Sequence, residues 1–330
     1  MQRNTPNAMT RHTALVALLI GFVVLSVLVI YPKSVFAQER AHPQEQEGLD
    51  LILEELLTDK NKTKIAIGLT YNTSTSDRVT GAFETIQTGT GAFVSVPTDL
   101  DASRRETDTL IASTTLRYGL TTRLEAFFRS SAIHTDNRVT NGITGQTTSL
   151  DSSRFLNIIS GINYRLLDDQ KYPGLIGFAD VTLAENIAST GSDLVFAKSG
   201  TVGLTAYKVI DPIVLSATSG LRFALSRPVN GVEINPGDSM FLNPAIAFAV
   251  NNELTLTGGL SMRFERADEV RGVRQGSRQT RGDLEFGVSY AWDRKTTLRI
   301  DTRADAVGEG GLTVGINVTK KFGDTQYRFE

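Results

Sequence analysis

The chain of 330 residues contains no cysteine and only three histidines. Without cysteine there are no disulfide cross-links, thiolate metal sites or cysteine nucleophiles. Lysine and arginine (34) nearly balance aspartate and glutamate (36), which leaves no basic footprint for nucleic acid. After Tyr31 no apolar run reaches the roughly 20 residues that a membrane-spanning helix needs. The chain is therefore neither a disulfide scaffold nor a bundle of membrane helices, and we expect no nucleic-acid partner.

The N-terminus has the layout of a signal peptide. Two arginines precede an apolar run from Ala14 to Tyr31, and a motif of small and apolar residues ends at Ala37. This pattern predicts that residues 1–37 are removed by cleavage after Ala37. A retained membrane anchor is the alternative, because the run is longer than most signal-peptide cores. The pattern favours cleavage, which places the mature chain outside the cytoplasm.

Residues 38–62 are polar, with one amphipathic pattern between Gln44 and Asp59. Apolar residues recur there at helical spacing: Leu49, Ile52, Leu53, Leu56 and Leu57. The pattern predicts a short helix that must bury its apolar face to be stable. We interpret residues 38–62 as a periplasmic linker whose helix is a plug or docking element. The alternative is a plain linker helix that rests at the mouth of the following domain.

From Thr63 to Phe322 the hydrophobic period changes to two, which is the period of a β-strand. Residues 298–305 show it most clearly, because leucine, isoleucine, threonine and alanine alternate there with charged residues. The pattern predicts twelve strands, at 63–73, 108–119, 122–134, 153–166, 174–185, 198–209, 213–226, 239–250, 253–265, 282–292, 296–306 and 310–322.

Long linkers alternate with short ones between these strands. The long linkers 74–107, 135–152, 186–197, 227–238 and 266–281 are rich in threonine, glycine, serine, aspartate and arginine, as solvated loops are. In outer-membrane barrels the long loops lie at one end and the short turns at the other, whereas Greek-key sandwiches have no such arrangement. The fold prediction is all-β: a 12-stranded antiparallel up-and-down transmembrane β-barrel over residues 63–322, after a short N-terminal amphipathic helix. Residues 323–330 form a C-terminal tail. We expect a bacterial outer-membrane location with both termini in the periplasm.

Aromatic residues recur near the short-turn ends of the even-numbered strands. This shared position is typical of the aromatic girdle at a membrane interface. Ordinary strand propensity explains why aromatic residues are present but not why they share a position. Tyr207 breaks the parity of its strand, so either a bulge precedes it or it points inward. The predicted girdle consists of Tyr118, Tyr164, Phe248, Tyr290, Trp292 and Phe322.

Charged residues occupy the strand face opposite the apolar one, so we expect them to line the pore. The candidates are Arg117, Arg123, Glu125, Arg129, Arg263, Glu265, Glu285, Arg299, Asp301, Arg303 and Asp305. Their signs are mixed, so we expect many of them to pair across neighbouring strands. This favours an ordinary water-facing inner wall over a selectivity ring. The run from Arg299 to Asp305 is the best candidate for a constriction, because rings of charge can set ion preference.

Catalysis has little support in the sequence. After signal removal only His42 and His134 remain, and His134 has Asp136, Ser152 and Ser153 nearby. A histidine beside an aspartate can act as a general base, but no recognisable catalytic motif surrounds this one. We therefore expect no enzyme activity, no cofactor and no metal site.

The hairpin sequence from Arg117 to Glu125, RYGLTTRLE, resembles that of a family of bacterial outer-membrane barrels, the MetA-pathway phenol-degradation channels. That family is similar to the functional-amyloid (Fap) secretion pore. Further matching motifs are Asp211-Pro212, Asn235-Pro236-Gly237-Asp238, Ala247-Phe248-Ala249-Val250-Asn251, Leu254-Thr255-Leu256, Gly287-Val288-Ser289-Tyr290-Ala291 and Phe322. The resemblance spans about residues 63–322 and rests on turn and girdle elements.

The resemblance implies a transport or secretion pore without catalytic residues. Fap pores place a helix before the barrel that can plug the lumen and that joins a trimeric coiled coil. This chain has no long heptad region, so the resemblance does not extend to a coiled-coil trimer.

The leading hypothesis is a passive outer-membrane channel, either for small apolar or aromatic solutes or for export of an unfolded polypeptide. The alternative is a non-conducting adhesion or assembly barrel that acts through its long first loop, residues 74–107. The expected partners are outer-membrane lipid, the transported solute or polypeptide, and, in a homo-oligomer, further copies of the chain.

Overall fold

The computed structural model describes residues 57–76, 83–89, 91–97, 104–140, 146–187, 194–229, 231–275, 277–307 and 311–323. Within these ranges no helix is present, and so none is long and apolar enough to cross a membrane. The signal peptide, the linker through Leu56 and the tail after Gly323 lie outside the described residues. The predicted helix therefore also lies outside them, except for residues 57–59, which are not helical.

The described residues form nineteen strands. They are β1 (Thr63–Ser76), β2 (Phe83–Gln87), β3 (Phe93–Pro97), β4 (Arg104–Gly119), β5 (Leu124–Thr140), β6 (Thr147–Leu167), β7 (Gly174–Asn186), β8 (Leu194–Phe196), β9 (Ser199–Ile210), β10 (Ile213–Ala224), β11 (Arg227–Val229), β12 (Val232–Asn235), β13 (Ser239–Ala249), β14 (Leu254–Glu265), β15 (Asp268–Val270), β16 (Val273–Gln275), β17 (Gln279–Asp293), β18 (Thr296–Val307) and β19 (Gly311–Phe322).

Twelve long strands close into one antiparallel barrel. Their order around the barrel is β6-β5-β4-β1-β19-β18-β17-β14-β13-β10-β9-β7, and β7 pairs again with β6. The last strand, β19, pairs with the first over its whole length, from Thr63 opposite Phe322 to Ser74 opposite Gly311. Because the ladder closes, every strand has two partners and no edge is left open. The predicted 12-stranded antiparallel barrel is confirmed.

Several strands are longer at the long-loop end than the sequence indicates. β5 continues to Thr140 and β6 begins at Thr147, so most of the predicted loop 135–152 belongs to the ladder. β4 likewise begins at Arg104 rather than at residue 108. Most of the residues in these extensions are threonine, serine, aspartate and arginine, which are typical of loops. Their backbone groups nevertheless continue the cross-strand hydrogen bonds of the barrel.

The two faces of the barrel wall differ in character. Outward-facing positions carry large apolar side chains that remain exposed, such as Leu116 (44%), Ile162 (47%) and Leu256 (44%). Inward-facing positions are mostly polar or charged, and many of them are buried inside the barrel, such as Thr115 and Asp301. A continuous exposed apolar belt of this extent is typical of a surface that lipid covers.

Three of the predicted solvated loops form a hairpin or a sheet of their own instead. The first long loop contains the hairpin of β2 and β3. The loops 227–238 and 266–281 together form a second, four-stranded sheet in the order β11-β12-β15-β16. Its first residue, Arg227, is 1% exposed and pairs with Glu185 of the barrel wall. These loops are rich in turn residues, but short apolar segments inside them pair as strands.

Candidate functional site

The β2–β3 hairpin folds into the long-loop half of the barrel. Its apolar side chains pack against apolar side chains on the inner faces of β4, β5 and β6, and all of them are at most 4% exposed. The cluster consists of Ile86, Val94, Val96, Ile111, Ile133 and Leu156. A register shift in the β5–β6 ladder brings Leu156 to the inner face beside Asn157. The hairpin is therefore a packed part of the interior and fills this half of the lumen.

Three arginines of the barrel wall hold the hairpin through hydrogen bonds. Arg303 donates to the carbonyl oxygens of Gln87 and of Thr88, and it also pairs with Glu285. Arg263 donates to the carbonyl oxygen of the Thr85 residue at 2.7 Å. Charged donors make the stronger class of protein hydrogen bond, so these contacts fix the position of the hairpin backbone.

We call Arg222, Arg263 and Arg303 the arginine clamp. Two further hydrogen bonds go to side chains of the hairpin. Arg222 donates to Ser95 Oγ at 2.7 Å, and Ser261 donates to Gln87 Oε1 at 2.8 Å. The Arg263 guanidinium also lies 4.5 Å from the ring centre of Phe93, a cation–π distance. Arg222, Arg263 and Arg303 belong to β10, β14 and β18, so the clamp reaches the hairpin from several sides.

The tip of the hairpin touches the wall at Gly89. A Cβ atom at this position would lie within 2.5 Å of both Asp301 Oδ1 and Asn317 Nδ2. Asp301 is itself next to Gly315 of the neighbouring strand, where a Cβ would also collide with its carboxylate. Glycine at these two positions lets the hairpin backbone approach the wall closely.

Residues 57 and 58 lie inside the short-turn end of the barrel. The backbone N–H of Thr58 donates to Glu125 Oε2 at 2.6 Å, and Lys64 Nζ donates to the Leu57 carbonyl oxygen at 3.1 Å. The Leu57 side chain is 6% exposed and packs against Ile176 and Tyr207. Of the residues predicted to form a plug helix, Leu57 is thus placed in the lumen, and it is not in a helix.

A cavity of about 420 Å³ lies in the barrel, with hairpin residues Gln87, Gly89 and Gly91 among those that line it. Five cationic side chains line this cavity, and Glu285 is the one acidic residue among the described lining residues. The rest of the lining consists mainly of threonine, serine, asparagine and alanine, with Ile176 and Phe178 on one side. The cationic residues are Lys64, Arg117, Arg299, Arg303 and Lys321.

Ten of the eleven predicted lining residues fall into three groups. Arg117, Glu285, Arg299 and Arg303 line the cavity, and Arg263 and Glu265 lie at the level of the hairpin. Glu125, Arg129 and Asp301 are on the inner face and buried, and Asp305 is on the same face near Gly311. Arg123 is not a lining residue, because it precedes β5 in a short turn and pairs there with Asp168 at 2.5 Å.

The sequence interpretation missed the apolar part of this site. Ile111, Ile133 and Leu156 were not among the expected lining residues because the interior was expected to be polar. Apolar residues at inward-facing positions of three neighbouring strands are the signal that something apolar covers them. The same reasoning applies to Tyr207, which points inward and is 5% exposed.

The aromatic residues of the predicted girdle lie on the same face and at the same end of the barrel. All six are exposed on the outer face next to the short turns, with exposed fractions from 39% for Tyr290 to 63% for Trp292. They form a partial band around the short-turn end of the barrel.

The residues around His134 do not form a catalytic triad. His134 Nδ1 lies 2.7 Å from Ser153 Oγ, but the Asp136 carboxylate accepts a hydrogen bond from Arg138 at 3.1 Å. Within the described ranges no group of three or more histidine, aspartate or glutamate side chains is placed to hold a metal ion.

No protein-family model matches the chain, and no curated protein matches it. Among solved structures, the chain is similar to the COG4313 outer membrane channel from Pseudomonas putida F1, with a TM-score of 0.58 and 11% identity over 81% of this chain and 98% of that one. The translocator domain of the autotransporter NalP from Neisseria meningitidis gives a TM-score of 0.49 at 10% identity, over 83% of this chain and 93% of that one. The CymD monoaromatic hydrocarbon channel gives 0.46 at 10% identity, over 84% of this chain and 93% of that one. The resemblance drawn from the sequence motifs is thus confirmed for the fold, which this chain shares with an outer-membrane channel.

Proposed function

We propose that this protein is a passive channel of the bacterial outer membrane for small apolar or aromatic solutes. The short turns and both termini face the periplasm, and the long loops face outward. The observation that carries the proposal is the interior: a closed barrel encloses a cavity between an inward-folded hairpin and residues 57–58. A channel of this kind needs no catalytic residue, cofactor or metal.

The size of the cavity favours small solutes over an unfolded polypeptide. The hairpin fills one half of the lumen, and Leu57 and Thr58 occupy part of the other end. A polypeptide needs a continuous bore, whereas about 420 Å³ is within the range of sites for small molecules. Export of a polypeptide would require that both obstructions leave the barrel.

The gating segments in this proposal are the β2–β3 hairpin and the region from Gln44 to Asp59. We expect that replacing residues 81–99 by a short glycine-serine linker increases single-channel conductance in planar bilayers several-fold, because the hairpin no longer obstructs the lumen. Deletion of Gln44–Asp59 is expected to raise conductance as well. Deletion of residues 38–43, which are polar and precede that segment, is the matched control and leaves conductance unchanged.

A non-conducting assembly barrel is the second candidate, and the packed hairpin and the four-stranded sheet beyond the barrel favour it. The same recordings separate the two functions. The channel is contradicted, and the assembly function supported, if no conductance steps appear in the native protein, in the variant with residues 81–99 replaced, and in the variant without Gln44–Asp59.

A further inference from the structure

Two phenylalanines and two glycines form one row across four neighbouring strands of the inner wall. Phe178 on β7 is directly opposite Gly203 on β9, and Phe241 on β13 is directly opposite Gly220 on β10. The two glycines are also opposite each other, so the row is continuous. A Cβ atom at either glycine would collide with the ring of its phenylalanine partner. Each ring therefore lies over the backbone of the neighbouring strand, which only glycine permits.

The two rings meet above these glycines, and a third ring joins them from the hairpin. The ring centres of Phe178 and Phe241 are 6.4 Å apart, with 28° between the ring planes. The ring centre of Phe93 lies 4.7 Å from that of Phe241, with the planes tilted by 53°. We call Phe93, Phe241 and Phe178 the phenyl row. Phe93 shows that this part of the wall accepts an aromatic ring brought to it from the lumen.

Phe178 is the uncovered end of the phenyl row. Phe93 covers Phe241, which is 4% exposed. Leu57 covers Ile176, the next inward-facing residue of β7 towards the short turns. Phe178 lies between these two covered positions and is partly exposed, and it is the one aromatic residue among the described residues that line the cavity. The phenyl row therefore ends in a ring that borders open space.

A second pair on the inner wall separates this feature from ordinary packing. Phe127 on β5 lies over Gly161 on β6 in the same way, directly opposite it in the strand register. An aromatic ring that covers a glycine stabilises a strand pair without any ligand. Phe127, however, is not among the described residues that line the cavity. Phe178 differs from it in bordering the cavity and in continuing a row of rings.

The polar residues beside Phe178 already have partners. Thr205 and Thr218 lie one row nearer the short turns and also line the cavity. Their hydroxyl groups are hydrogen-bonded to each other at 2.9 Å. The wall beside Phe178 therefore places no charged group next to the ring, and the contact that it offers a solute is mainly ring against ring.

We propose that the exposed face of Phe178 is the binding position for the ring of a small neutral aromatic solute in the cavity. The ring of the solute extends the phenyl row by one member, at the separation of about 4.5–7 Å that aromatic pairs prefer. This inference rests on the proposed function, because it selects aromatic over merely apolar solutes and assigns the residue that distinguishes them.

The test compares two neutral amides that differ in the aromaticity of the ring, benzamide and cyclohexanecarboxamide. Their binding is measured by isothermal titration calorimetry, with the full chain in lipid nanodiscs and empty nanodiscs as the blank. We expect benzamide to bind at least about 3-fold more tightly, because only its ring makes an aromatic pair with Phe178. The saturated ring is the more apolar of the two, so hydrophobic burial alone predicts the opposite order. Equal binding, tighter binding of the saturated amide, or no binding of either overturns the proposal.

The two phenylalanines that cover glycines provide a matched pair of variants. We expect Phe178→Leu, which keeps an apolar side chain but removes the ring, to abolish the preference for benzamide. Phe127→Leu makes the same change away from the cavity and is expected to retain the preference. A preference that survives in Phe178→Leu, or that is lost in both variants, contradicts the assignment. If Phe178→Leu does not fold, the comparison of the two amides on the native chain still decides.

Failure of this inference is distinguishable from failure of the proposed function. A protein that conducts ions but binds the two amides equally retains the channel and loses Phe178 as a site. A protein that prefers benzamide only when Phe178 is present but never conducts retains the site and loses the channel.

Discussion

The two halves of the lumen differ in what occupies them. In the long-loop half, an apolar cluster and arginine hydrogen bonds hold a hairpin in place. In the short-turn half, Lys64, Arg117 and Lys321 line a cavity of about 420 Å³, and Leu57 covers Ile176 and Tyr207. Arg263 and Arg303 donate to backbone carbonyl oxygens of the hairpin, so these hydrogen bonds depend on its position and not on the identity of its side chains.

This difference predicts that the two halves respond separately to substitution. Variants of the arginine clamp are expected to release the hairpin and leave the short-turn end intact, whereas variants at the short-turn end leave the hairpin in place. The chain has no native cysteine, so a single engineered Val94→Cys residue gives a specific probe of the hairpin. Val94 is 0% exposed, and a thiol there reacts with a water-soluble reagent only when the hairpin leaves the wall.

Arg303→Met is expected to have the largest effect on the hairpin. The change keeps an unbranched side chain but removes the hydrogen bonds to Gln87 and Thr88 and leaves Glu285 without this partner. We expect the labelling rate of Val94→Cys to rise about 100-fold, which corresponds to about 3 kcal/mol. Arg117→Met, which removes an inward-facing cation at the other end of the barrel, is the control and leaves the rate unchanged. A rise of the same size in the control would mean that the whole barrel, and not the hairpin, has loosened.

The barrel was predictable from sequence because its side chains repeat with period two. Leu298 and Ile300 face outward while Arg299 and Asp301 face inward, so the position of each strand follows from local alternation. The long and short linkers then gave the topology. The strand extensions from Thr135 to Thr140 were missed because their residue types are those of loops.

The hairpin in the lumen was not predicted, since its position depends on contacts distant in sequence. Phe93 to Val96 alternates like a strand, but this segment lies within a linker rich in threonine and glycine. Its partners Arg263 and Arg303 are more than 160 residues away, as the hydrogen bond between Arg263 and Thr85 shows with a separation of 178. Inward-facing Ile111 and Ile133 were the available local signal for it.

Gly89→Ala is expected to have a smaller effect on the same hairpin. The added methyl group would lie within 2.5 Å of Asp301 Oδ1 and Asn317 Nδ2, so either the hairpin tip or these two buried side chains must shift. Overpacking of this kind costs about 1–3 kcal/mol, and we expect Val94→Cys labelling to become about 10-fold faster. Gly258→Ala is the matched control, because a Cβ there lies 4.0 Å from its nearest neighbour, Ile246. If both variants label at the native rate, the hairpin tip is not tightly held at the wall.

The smallest expected effect is the loss of stability at acid pH when Asp169, at the short-turn end, is protonated. Asp169, in the turn between β6 and β7, accepts hydrogen bonds from Lys208 Nζ at 2.6 Å and from the backbone N–H of Val209 at 2.7 Å. Burial acts to raise the pKa of Asp169, but these hydrogen bonds and the charge of Lys208 hold that pKa below its ordinary value of 3.8. Asp169 therefore contributes stability above pH 3.8, and this contribution is lost as the pH falls below that value.

We expect Asp169→Asn to destabilise the barrel at pH 7 by at most about 1 kcal/mol, because the ion pair is partly exposed. At acid pH, well below 3.8, the native chain and the variant are expected to unfold at the same temperature, since the carboxyl group is then neutral in both states. Thermal unfolding of the two chains at both pH values measures this difference. The arginine hydrogen bonds to Gln87 and Thr88 join groups that do not titrate in this range. Because thiol reactivity itself falls with pH, Val94→Cys labelling is expressed at each pH relative to the same chain unfolded in denaturant, and this ratio should show no corresponding change. Acid release of the hairpin at the same pH would show that the two halves of the lumen are coupled rather than separate.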